Sequence, residues 1–157
     1  MIDFLLIKWI HIISSVVLVG VGFGSAFYFY FVNRTRNVIA IAEVSRLVVR
    51  ADFWFTTPAV ILQPLTGIWM VSLSSYSLIE SWLIVTYVMF AVAGLCWLPV
   101  VWLQIRMAKM ALKAMQETAN LPVKYWYYAR WWEALGMIAF PAMLIIFYMM
   151  VFKPDWL

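Results

Sequence analysis

Lys8 and His11 stand one helical turn apart in an otherwise apolar stretch, and His11 is the only histidine of the chain. A helix turning 100° per residue gathers Lys8, His11, Ser14, Ser15, Leu18, Gly22 and Ser25 into one sector about 120° wide. Ionisable groups at membrane depth usually face a bundle interior or a cavity. An imidazole there can ligate haem iron, relay a proton or hydrogen-bond a neighbouring helix. One histidine gives one axial ligand, so a haem b on His11 needs a second. Met70, Met89 or a histidine of another protomer are the candidates. Methionine also suits copper(I), but no dense Met/His cluster is present. One His and one Cys argue against structural zinc. There is no Gly-rich phosphate loop and no Ser/His/Asp arrangement with assignable spacing.

The elements that position these residues follow from composition. Of 157 residues, 67% are hydrophobic and 11% charged. A soluble domain is about half apolar and about a quarter charged. The chain is therefore expected to be an integral membrane protein. Four apolar runs, Ile2–Val32, Phe53–Leu73, Trp82–Ile105 and Trp132–Phe152, reach the roughly 20 residues needed to cross a bilayer. They lack the alternation of barrel strands. The first run has no basic start, exceeds a signal-peptide core in length and ends in no small-x-small site, so it does not read as a cleavable leader. The expectation is an all-α bundle of four transmembrane helices, one domain over residues 1–157.

Nine of the eleven basic residues lie in the stretches 33–52 and 106–131, and Ser74–Ser81 has none. The positive-inside rule then puts both basic loops in the cytoplasm and both termini outside. The +4 net charge reports this topology; no nucleic-acid motif accompanies it. Within the first loop, Ile41, Val44 and Val48 space as a short amphipathic helix, expected on the inner leaflet with its arginines towards phosphates. Asp52, at the mouth of the second run, is expected to pair with Arg46, Arg50 or Arg106. Glu133 is expected to pair with an arginine too.

Asp52, Thr56, Ala59, Gln63, Thr66, Gly67 and Met70 share a face of the second run, expected to meet the polar face of the first. Gln63, near mid-membrane, needs a partner there. Pro58 and Pro64 free backbone carbonyls in the same run. In the third run Thr86, Met89, Phe90, Ala93, Trp97 and Gln104 lie on one side. Gly20, Gly22 and Gly24 are small enough for close helix packing or for a flat cofactor. Trp131 and Trp132 read as interfacial anchors, and Cys96 as a small packing residue.

The blocks Lys8-Trp9-Ile10-His11, Val49-Arg50-Ala51-Asp52-Phe53-Trp54-Phe55-Thr56-Thr57-Pro58-Ala59-Val60, Gln63-Pro64-Leu65-Thr66-Gly67, the run Gly94 to Met107 and Lys153-Pro154 together resemble the bacterial membrane family catalogued as domain of unknown function 2269. More distantly, the chain is similar to HemJ-type protoporphyrinogen oxidases and CopD-like copper proteins. The HemJ resemblance implies His11 as a haem b ligand with Lys8 as its neighbour. HemJ proteins also carry a functional lysine early in helix 3, where this chain has Ser81-Trp82-Leu83-Ile84-Val85-Thr86, so no enzymatic turnover is assigned. The expected function is a haem b-binding redox or haem-related membrane protein. His11 would be its metal ligand, with Lys8, Ser15, Gly22, Gln63, Met70 and Met89 around the group. The lipid bilayer, a redox partner or further copies of the chain would be its partners. The alternatives are a non-enzymatic accessory subunit and copper or small-solute transport.

Overall fold

The structure is a computed structural model that describes residues 2–154. The described residues form helices and no strand: α1 Ile2–Thr35, α2 Val38–Ala51, α3 Thr57–Ser72, α4 Ser81–Gln116 and α5 Val123–Phe152. α1, α4 and α5 are each long and apolar enough to cross a membrane. Only 17%, 17% and 11% of their most apolar windows are buried, so their outer faces need a hydrocarbon solvent.

α3 alone has 16 residues, which is short for a span. It does not stand alone. A π-helical turn, Asp52–Thr56, joins it to α2 without a break, because Ala51 and Thr57 both keep helical backbone angles. Pro58 offers no N–H to the carbonyl one turn back, and the ladder slips to i→i+5. The Thr57 N–H reaches the Asp52 carbonyl, and the Thr57 hydroxyl donates to the same oxygen at 2.8 Å.

The short amphipathic helix expected in the first loop is present as α2, running without a break towards α3. α2 is amphipathic, but its apolar side, with Ile41, Ala42 and Val48, packs on Leu103, Met107 and Ala111 of α4 instead of on lipid. Asn37 caps its start, accepting from the Ala40 N–H at 3.1 Å. Arg36, in the left-handed region at φ 55°, makes the reversal from α1 into α2.

The helices run as two antiparallel pairs. α1 packs along α3, α4 along α5, and α2 bridges α1 to α4, while α1 meets α5 only sparsely. One end of the bundle, the basic end, carries the α1–α2 and α4–α5 turns. Its core holds Phe29, Ile41, Met107, Tyr125 and Trp132. The other end, the terminal end, carries the start of α1 and the end of α5, with a smaller core of Val71, Trp82, Leu83 and Met149. Cys96 is buried and free. The two pairs are thus held together at their ends, with a gap left between.

At the basic end the fully buried Tyr125 hydroxyl donates to Asn33 Oδ1 at 2.6 Å, tying α5 to α1. Asn33 Nδ2 has no partner among the described residues. Tyr125→Phe would leave both ends of a buried amide unpaired. It is expected to cost about 1–3 kcal/mol of stability, measured by denaturant unfolding in micelles. A variant as stable as the parent would show that water reaches Asn33.

Candidate functional site

Two places collect polar side chains inside the bundle. The first is the seam between α1 and α3. Gln63 Nε2 donates to the His11 carbonyl at 2.8 Å and to Ser14 Oγ at 2.5 Å, while Ser14 Oγ donates to the same carbonyl at 3.0 Å. The partner that Gln63 requires at this depth is therefore α1. His11 Nδ1 lies 2.8 Å from Thr66 Oγ1. Thr66 has one hydroxyl proton, and its helix carbonyl Leu62 O, at 2.6 Å, takes it. With its proton on that closer acceptor, Thr66 Oγ1 accepts from an Nδ1–H. A neutral imidazole so protonated keeps a bare lone pair on Nε2. Gly67 lets the ring lie against the α3 backbone, since a Cβ there would stand 3.4 Å from His11 Cε1.

The other residues expected near His11 are distributed differently. Lys8 is exposed, and Ser15 turns its hydroxyl back to the Ile12 carbonyl at 2.7 Å. Met70 is half-buried, one turn beyond Thr66 on the same face of α3. Met89 is half-buried on α4, which packs on α5 and α2 rather than on α1. Gly22 lies about three turns along α1 from His11, in the second site. Towards a haem the arrangement offers one imidazole, that of His11. Among the described residues no group of three or more His, Cys, Asp or Glu side chains comes together to hold a metal ion.

The second place is a cleft of about 600 Å³ between the two helix pairs. Its walls are mainly apolar and aromatic, with Phe23 of α1 stacked on Phe140 of α5 at 5.0 Å across its side. Gly22, Gly94 and Gly136, from three different helices, line it, and a Cβ on any of them would meet nothing within 4 Å. These glycines do not serve close helix packing. They leave space.

The polar groups of the cleft lie towards the basic end. Asp52, on the π-helical turn, is 5% exposed and accepts from Thr56 Oγ1 at 3.0 Å. Gln104 of α4, also buried, lines the same cleft. The expected ion pair with Arg46, Arg50 or Arg106 is absent among the described residues. Asp52 sits on the buried side of its helix, Arg46 pairs with Glu43 on the exposed side, and Arg50 and Arg106 are exposed. Glu133 likewise has no ion pair among the described residues and lines the cleft, half-buried. Trp132 is not an interfacial anchor. It is 6% exposed, set edge-to-face on Phe29 at 5.1 Å, while its neighbour Trp131 faces outward.

Sequence reasoning did not assemble this cleft, although the shared side of Phe90, Ala93, Trp97 and Gln104 was its signal; all four line it. The family model described as a predicted integral membrane protein, DUF2269, matches residues 5–154. No curated protein and no solved structure matches the chain.

Proposed function

Because the chain belongs to the DUF2269 family of integral membrane proteins, we propose that it is a four-span protein of the bacterial inner membrane in which His11 holds a haem b. The run Phe53–Leu73, continued into α2 by the π-helical turn, supplies the fourth crossing. The arginines and lysines gathered at the basic end set that end in the cytoplasm.

One observation carries the ligand assignment. Thr66 accepts from Nδ1–H and so leaves the Nε2 lone pair of His11 for a metal. Gln63 and Ser14 hold the α1 backbone at that point, which keeps the ring from turning. Lys8, exposed one turn nearer the terminal end, is the cation available to a propionate. When bound, the iron would supply one-electron chemistry, and a second copy of the chain or a redox partner would complete the coordination.

Absorption spectra of the purified protein, oxidised and reduced, test this. A Soret band that His11→Ala removes, and that Thr66→Val weakens about 10- to 100-fold in haem affinity, is the expected result. A pure, folded protein with no such band after haem addition overturns the assignment. The seam then reads as a helix latch in a structural or accessory subunit. That second reading is favoured by the hydrogen bonds of Gln63 to α1, which hold the seam whether or not Nε2 has a ligand. It predicts that His11→Ala lowers stability and changes no spectrum.

A further inference from the structure

Four buried polar side-chain atoms have no hydrogen-bond partner among the described residues: Asn33 Nδ2, Trp97 Nε1, Gln104 Oε1 and Trp132 Nε1. The last three belong to residues that line the cleft. Gln104 is 4% exposed and Trp132 6%, so bulk water does not serve them. A buried polar atom without a partner is costly, and three around one space point to something that fills it.

The chemistry of the three atoms describes the occupant. Two indole N–H groups require acceptors, and the Gln104 carbonyl requires a donor. Asp52 and Glu133 line the same cleft, and neither gives a phosphate or a fatty carboxylate a positive partner. No lysine or arginine lines it among the described residues to offset them. A neutral head that both accepts and donates is left. The space beyond the polar groups is apolar and walled by aromatic rings, with room kept open by Gly22, Gly94 and Gly136. That suits a flat ring with a hydrocarbon tail.

We propose that the cleft between the α1–α3 and α4–α5 pairs is a binding site for a quinone or quinol, with its ring oxygens at Trp97, Gln104 and Trp132. The ketone oxygens accept from the indoles, and the quinol hydroxyl donates to Gln104 Oε1. Phe23 and Phe140 flank the tail. The site is separate from His11, because its lining on α1 begins at Leu18, about two turns away.

The test is equilibrium binding of decylubiquinone and of its reduced form to the full chain in detergent, with dodecanol as the ringless competitor. The expected result is saturable binding at one site per chain. Gly94→Leu, which fills open space, should weaken it at least tenfold without lowering the melting temperature. Trp132→Phe should weaken both forms about tenfold, and Gln104→Leu the reduced form more than the oxidised one. Binding should survive His11→Ala, which separates this site from the haem reading. Non-saturable uptake that is equal in the parent and in Gly94→Leu overturns the site. Dodecanol competing as well as the quinone overturns the ligand class.

Discussion

Phe29→Ala is expected to lower the unfolding free energy by about 3–5 kcal/mol, the range for truncating a fully buried aromatic residue. Phe29 has no exposed surface and lies edge-to-face on Trp132. Ile41, Met107 and Tyr125 share its core, so α1, α2, α4 and α5 all meet around it. The loss is mainly one of packing. Lipid tails are as apolar as phenylalanine, so little transfer energy separates the buried ring from an exposed one, whereas an unfilled cavity forfeits dispersion contacts outright. The sparse contact of α1 with α5 elsewhere leaves few neighbours able to collapse into the hole. Phe31→Ala, two residues on and 51% exposed, should cost under about 1 kcal/mol. Unfolding of both variants in mixed micelles checks the pair. Equal losses would show that this end is not the organising core.

How far the sequence carries these conclusions differs along the chain. The helices were legible because runs such as Trp82–Ile105 have both the length and the apolarity that only a spanning helix needs. The meeting of α1 with α3 was legible too: Gln63 at mid-membrane must find a partner, and Ser14 and His11 share the only polar face of the first run. The π-helical turn was not. Pro58 signals a freed carbonyl, but whether a helix kinks, breaks or slips its ladder depends on what the threonine beside it does with its hydroxyl. The fate of Asp52 was obscured for the same reason. Charge pairing read from sequence favours the nearest arginine, whereas the slipped ladder sets the carboxyl on the buried side, beside Thr56 and Gln104. Trp132 misled because an aromatic pair at a membrane boundary normally anchors in headgroups, and only the position of Phe29 separates it from Trp131.

The glycines make the sharpest contrast, and Gly67→Leu is expected to cost about 3 kcal/mol, at the upper end for overpacking a close contact. At Gly67 a Cβ alone would already stand 3.4 Å from the imidazole of His11. Alanine is therefore tolerated, with a methyl in ordinary contact. A leucine side chain has to displace the ring or push α1 off α3, and moving α1 breaks the bonds of Gln63 to the His11 carbonyl and to Ser14 together. Each is worth about 1 kcal/mol where no water competes, and α1 meets α5 only sparsely. Gly22→Leu and Gly94→Leu, made in open space, should leave stability within about 0.5 kcal/mol. A thermal-melt series over these three variants and Gly67→Ala decides the point. If Gly67→Leu melts with the other two, the α1–α3 seam is loose, and the fixed tautomer that recommends His11 as a ligand goes with it. If all three leucine variants fall together, the cleft is closed in the folded protein, and its glycines pack helices after all.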